Sequence, residues 1–338
     1  MMTISKITQI LEEWAPLDYA EDFDNAGLLV GDKNDEAKGI LITHDCLAEV
    51  VDEAIEKKCN LIVCFHPIIF KGLQKLSGNS HVEQAVKKAI KNDIAIYAIH
   101  TALDNQVHGV SFGLSQALGL VHTSTLLPKE NTIKKLNFYV PKQQAQEVQN
   151  ALFSVGAGSI GHYDECSFST EGKGSFRPLE NSNPHVGKSG ERHTEDEVQI
   201  QMVFQKHVES KVIDSLISNH PYEEVAYEIS SLSNVNQNIG MGKIGKLPKG
   251  MKEDAFLKFV KDQLGTPVLR HSKIGVKTIE RVAVLGGSGS FAIQEAKKKK
   301  ADAYITADLK YHDFFEGDND FLLIDAGHYE TEQHTKKL

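Results

Sequence analysis

Histidines and carboxylates of this 338-residue chain recur at one kind of place, immediately after short apolar runs. His66 follows Leu61-Ile-Val-Cys64, and His100 and Asp104 follow the run from Ile94 to Ile99. Asp308 and His312 follow Ala303-Tyr-Ile-Thr306, and His328 and Glu332 follow Phe321-Leu-Leu-Ile-Asp325. A helix opening at His328 would put it and Glu332, four residues on, on one face. Imidazole mixed with carboxylate is a donor set for zinc, iron or manganese rather than for calcium or magnesium. Two carboxylates also suit a two-metal site, because each can bridge ions lying about 3.5–4 Å apart. Singly, these residues have plainer readings. A His and a Glu four apart often share an exposed helix face, and Asp104-Asn105 is equally a turn or cap sequence. It is His66, Asp104, His328 and Glu332 together, all at strand ends, that point to a metal.

Such residues need elements to aim them. From 39 to 120 short apolar runs alternate with helical patterns: Gly39 to His44, a helix over 47–58, Leu61 to Cys64, a helix over 81–92, Ile94 to Ile99, and a helix ending at 118–120. The rhythm returns with Arg281 to Leu285, a helix over 291–300, and the runs at 303–306 and 321–325. This pattern predicts βαβ units and a mainly parallel sheet, whose ligands gather outside the carboxyl ends of its strands. The middle differs: strand 134–140, helix 143–157, strand 163–169, a polar stretch 171–192, strand 198–204, helix 209–219 and strand 225–232. That β-α-β-β-α-β order is the ferredoxin-like plan. The expectation is therefore an α/β, parallel-sheet-rich metal domain (1–127 and 241–338) interrupted by a ferredoxin-like α+β insert (128–240). The glycine- and asparagine-rich stretch 234–245 reads as the return linker.

Weaker features surround the site. Gly286-Gly-Ser-Gly289-Ser, between a strand and a helix, reads either as a phosphate cradle or as a tight βα turn. The lysine run 297–300 reads as a solvated helix end, and His220-Pro-Tyr-Glu-Glu224 as structural. Cys46, Cys59, Cys64 and Cys166 form no CxxC pair and read as reduced packing residues. A formal charge of −9 and a pI near 5.9 argue against a general nucleic-acid or anionic-membrane binder. No apolar stretch approaches the roughly 20 residues of a membrane span, and the N-terminus reads as an amphipathic helix rather than a signal peptide. The expected location is the cytoplasm.

In order, Asp24-Asn25-Ala-Gly27-Leu-Leu-Val-Gly31, His66-Pro67-Ile-Ile-Phe70-Lys71, His100-Thr-Ala-Leu-Asp104, Gly286-Gly-Ser-Gly289 and Gly327-His328-Tyr-Glu-Thr-Glu332 resemble a known family. It is the family of dinuclear-metal-centre proteins called GTP cyclohydrolase 1 type 2 homologues. The resemblance covers nearly the whole chain. Gly174-Ser-Phe176-Arg177-Pro178 and Asn219-His220-Pro221-Tyr222-Glu223 resemble the insert of longer bacterial members, similar in plan to PII and CutA-type domains.

The resemblance implies a homohexameric ring with His66, Asp104, His328 and Glu332 as ligands of one or two divalent ions per subunit. It departs from the family at Phe65, where the family usually has a second histidine; His100 is a candidate substitute. The family also continues past the position of Leu338, which implies a chain shortened there. The function expected is a metal-dependent hydrolase acting on a purine nucleotide or related heterocycle. His100 or His312 would serve as general acid or base, and Lys71, Lys310 or the 286–289 loop would meet phosphate. The alternatives are a non-catalytic metal-handling or regulatory hexamer whose insert senses a small molecule, and a scaffold whose metal only stabilises the fold.

Overall fold

A computed structural model describes residues 2–275 and 277–338 as two compact units, Met1–Lys129 with Gln237–Leu338 and, separately, Glu130–Asn236. The first unit opens with a helix, Ile4–Trp14, capped by the Thr3 side chain. Four short strands follow: β1 (Gly27–Val30), β2 (Ile40–Thr43), β3 (Leu61–Cys64) and β4 (Ala95–Ala98). They form one sheet in the order β1-β4-β3-β2, with β2, β3 and β4 parallel and β1 antiparallel at the edge. β3 and β4 are buried at every residue, which is why they read as unbroken apolar runs. Ile62, Cys64, Ile96 and Ala98 meet the helices Ala48–Glu56 and His81–Lys91. Leu61, Val63, Ala95 and Tyr97 face the opposite way, onto Ile4 and Ile7 of the first helix.

A short helix, His100–Asp104, and the helix Val110–Ala117 lead to β5 (Val121–Pro128). The chain then forms the second unit from β6 (Ile133–Pro141), β7 (Phe168–Phe176), β8 (His193–Gln205) and β9 (Tyr227–Ser231) with helices Ala145–Ser154 and Glu209–Asn219. Its sheet is antiparallel throughout, in the order β7-β8-β6-β9. Leu136, Phe138 and Val140 of β6 alternate with outward residues and pack with Val148, Leu152, Val212 and Leu216 of the helices. Strand β7 begins and ends later than the 163–169 expected. Its Glu-Gly-Lys-Gly stretch looks like loop, but as an edge strand it pairs with β8 from Phe168 to Phe176, and an exposed edge tolerates such residues.

The return to the first unit also differs from expectation. Gly240 to Gly245 is not linker but the start of β10 (Gly240–Lys252), lying between β5 and a later strand. Gly240, at φ +143°, is needed because a Cβ there would sit 2.1 Å from the Leu127 carbonyl oxygen. β11 (Arg270–His271), β12 (Thr278–Ser288), β13 (Ala303–Ala307) and β14 (Leu322–Asp325) complete a six-stranded sheet, β11-β14-β13-β12-β10-β5. Only β12, β13 and β14 run parallel, so the sheet is a parallel centre between antiparallel flanks. Val282, Val284, Ile305 and Ile324 pack under helix Glu253–Leu264, while Ala283, Leu285, Tyr304 and Leu323 cover Ala292, Ile293 and Ala296. No described helix is long and apolar enough to cross a membrane.

Candidate metal centre

Within the first unit, His44 and Asp45 follow β2, Phe65 and His66 follow β3, His100 follows β4, and Asp308 and His328 follow β13 and β14. The helix His328–Glu332 starts after Gly327 at φ +91° and is one turn long. That turn aims His328 and Glu332 at the same point: Nε2 of His328 lies 3.2 Å from Oε2 of Glu332. Nε2 of His66 lies 3.4 Å from that same oxygen and 3.4 Å from Nε2 of His328. Three donors around a tetrahedral ion, each about 2.0–2.1 Å from it, are separated by about 3.3–3.4 Å. The triangle of His66, His328 and Glu332 has that size.

Proton positions support the same reading. Nδ1 of His66 lies 2.8 Å from Asp45, and Nδ1 of His328 lies 2.6 Å from Asp308. A carboxylate at Nδ1 holds the proton there and leaves Nε2 as a lone pair. With both rings neutral, two lone pairs and a carboxylate oxygen in mutual contact repel unless a cation stands among them, a proton in the metal-free chain or a metal ion in its place. Metal-binding histidines commonly carry such a carboxylate on the far nitrogen. His100 has the same partner, its Nδ1 lying 2.6 Å from Asp24, which also accepts from the Thr101 amide and hydroxyl.

Electrostatics agree. Glu332 is 4% exposed, and burial alone would raise its pKa. Its hydrogen bonds to His328, His44 and His66 win, and hold it well below the usual carboxylate range. The Glu332 carboxylate raises His328 to about 9, with Asp308 adding to it. His66 is raised as well; burial opposes this, but Glu332 and Asp45 outweigh it. Asp104 goes the other way, pushed well up by burial and by the neighbouring charges of Glu332 and Asp24.

The glycine loop serves this carboxylate. A Cβ on Gly287, at φ +69°, would lie 2.2 Å from Oε1 of Glu332. The Gly287 amide is bound by the Thr331 hydroxyl at 3.0 Å and the Gly286 amide by Ser111 at 3.4 Å. These two amides are therefore turned inward to protein partners, and at Gly287 it is close packing against Glu332 that requires the glycine.

The expected residues thus fall into three groups. His66, His328 and Glu332 converge, with donor atoms within 4.8 Å of one another. Asp104 and His100 line the same cavity without joining that cluster. His312 stands exposed on the 3₁₀ turn Tyr311–Glu316, against the rings of Tyr311 and Phe315, and does not line the cavity. The cavity measures about 720 Å³, with Phe23, Phe70, Phe291, Leu127, Met241 and Leu285 along its wall. Lys129 is the one lysine or arginine among its described lining residues, and Glu21 lies 2.6 Å from it. Lys71 borders a neighbouring cavity, and Lys310 borders neither. Sequence reasoning missed His44, whose Nε2 lies 3.1 Å from Oε2 of Glu332. The same strand-end rule applied to β2 would have found it.

The whole described architecture has relatives. Residues 2–338 match the family described as Duf34/NIF3 (NGG1p interacting factor 3). A Bacillus subtilis protein named GTP cyclohydrolase 1 type 2 homolog is 41% identical over 326 residues, covering 96% of this chain and 87% of its own. A solved Bacillus cereus protein related to NIF3 superposes with a TM-score of 0.85 at 37% identity, over 99% of this chain and 90% of that one. Staphylococcus aureus SA1388 superposes with a TM-score of 0.76 at 30% identity, over 98% and 88% respectively. The chain belongs to the Duf34/NIF3 family.

Proposed function

We propose that this chain is a divalent-metal protein that turns its ion to hydrolysis of a small heterocyclic substrate, a nucleotide or a relative of one. The observation that carries the reading is the facing pair of imidazole Nε2 atoms, 3.4 Å apart, with both Nδ1 protons engaged by carboxylates and Glu332 between them. His66, His328 and Glu332 are the donors, and the half-buried Asp104, on the wall of the same cavity, is the expected fourth. Zinc, iron or manganese suits this donor set. A bound ion of this kind supplies Lewis acidity and brings a coordinated water toward neutrality. The apolar wall takes the flat body of a heterocycle and excludes bulk water around it. His100, fixed through Nδ1 by Asp24, has Nε2 available to accept or return a proton at the cavity surface.

Phe65 favours a second reading, a non-catalytic metal-handling protein, because an apolar ring stands where another imidazole donor would add affinity. Turnover separates the two. Purified protein is analysed for metal per chain, then assayed with GTP, guanosine and related heterocycles, with Glu332→Ala as control. Metal-dependent conversion lost in a folded Glu332→Ala variant supports the hydrolase. Tight metal with no conversion moves the reading to metal handling, and no metal after loading with zinc, iron or manganese overturns both. The family resemblance also supports a ring of six chains, which light scattering on the purified protein tests.

A further inference from the structure

His44 is 4% exposed, in the first residue after β2, and stacks on Phe65 with ring centroids 5.3 Å apart and 26° between planes. Its ring also meets His66 edge-on at 4.7 Å. Three imidazoles thus surround one oxygen, Oε2 of Glu332, at 3.1, 3.4 and 3.2 Å for His44, His66 and His328. They are not equivalent. Nδ1 of His66 faces Asp45 and Nδ1 of His328 faces Asp308, but Nδ1 of His44 is buried with no hydrogen-bond partner. The ionised Glu332 carboxylate can only accept. A proton on Nδ1 alone would leave that N–H without an acceptor and Nε2 without a proton for Glu332, at about 1–3 kcal/mol for each buried group left unpaired. The His44 proton therefore belongs on Nε2, where Glu332 accepts it. His44 is the one ring of the three that donates while neutral.

We infer that His44 is a positioning residue of the metal centre: its Nε2–H donates to Oε2 of Glu332 and fixes the carboxylate for the ion held with His66 and His328. Phe65, stacked on its ring, and the backbone of Gly287, close against Oε1 of Glu332, confine the pair from the other sides. This inference rests on the metal-binding reading above. It assigns His44 no bond to the ion, unlike His66 and His328, which carry the carboxylate on Nδ1 that metal-binding histidines carry.

The test is zinc binding to metal-free protein by chelator competition, with the ion count read by elemental analysis. Wild type is compared with His44→Leu, His44→Gln and His328→Ala, each checked for a folded far-ultraviolet spectrum. His44→Leu is expected to weaken zinc about 10- to 100-fold, the usual cost of losing an outer partner of a ligand, with the ion count unchanged. His44→Gln, whose amide can donate from a similar position, is expected to restore most of the loss. A wild-type affinity in His44→Leu overturns the inference, and so does loss of an ion from the count without rescue by Gln, which would make His44 a ligand. Zinc that binds wild type and is lost in His328→Ala keeps the metal reading standing whichever way His44 falls. If wild type binds none, that reading fails, and this one with it.

Discussion

Metal affinity at this centre should climb steeply between pH 7 and 9. In the metal-free protein Glu332 raises His328 to about 9, so at neutral pH Nε2 of His328 carries a proton that an ion must displace. With that value, only about 1% of His328 is bare at pH 7, and about half at pH 9. Binding then strengthens about tenfold from pH 7 to 8 and about fivefold from pH 8 to 9, about 50-fold in all. The His328 side chain is 38% exposed, and screening by water at the open side trims the expected gain to about 10- to 50-fold. Stability of the metal-free protein runs in the opposite sense. The folded pKa exceeds the unfolded value near 6.5, so this contribution is whole below pH 6.5 and fades as pH rises through about 9. The assay is zinc affinity by chelator competition from pH 6.5 to 9.5, corrected for protonation of the chelator and hydroxide binding to zinc. Calorimetry in buffers of different ionisation enthalpy counts the protons released. An affinity flat from pH 7 to 9, with no proton released, would refute the argument, because an ion seated on His328 has to take that proton's place.

Three further outcomes follow from particular contacts. Gly287→Ala forces a Cβ into Oε1 of Glu332 and a side chain into a left-handed conformation, at a cost of about 1–3 kcal/mol for the backbone alone. A lowered melting temperature together with weaker zinc binding checks it. Asp308→Asn removes the charge that fixes Nδ1 of His328, and should weaken zinc about 10- to 100-fold in the same competition assay. Phe138→Ala empties a fully buried position in the second unit and should cost about 3–5 kcal/mol by chemical denaturation. Zinc affinity of the folded Phe138→Ala protein should equal that of wild type, since every donor comes from the first unit.

The strands plainest to read in advance are those buried on both faces. Leu61–Cys64 and Ala303–Ala307 have no solvent side to interrupt them, so an apolar run marks each strand directly. The strands that escaped notice are edge-like or glycine-bearing. β1 is a half-buried edge strand, and β10 opens on glycines that its neighbours require. Glycine in this chain is ambiguous in one dimension, because flexibility and close approach call for the same residue. At 240 the approaching group is a carbonyl of β5, and only the paired strand reveals it.

The site divides in the same way. Its donors were legible because a parallel sheet delivers side chains to one edge, and that edge can be found from where apolar runs stop. Their partners were not. Asp24 lies 76 residues from His100, and Asp45 lies 21 residues from His66, so no spacing rule links a ring to the carboxylate behind it. Yet those carboxylates decide the chemistry. A neutral histidine with Nδ1 bound to an aspartate presents a lone pair, and one with Nδ1 bare presents a proton. His66 and His328 are of the first kind and His44 of the second, although all three sit within 3.4 Å of one oxygen of Glu332. What separates a ligand from a residue that steadies a ligand is thus the far nitrogen of the ring, and that is a property of the folded chain alone.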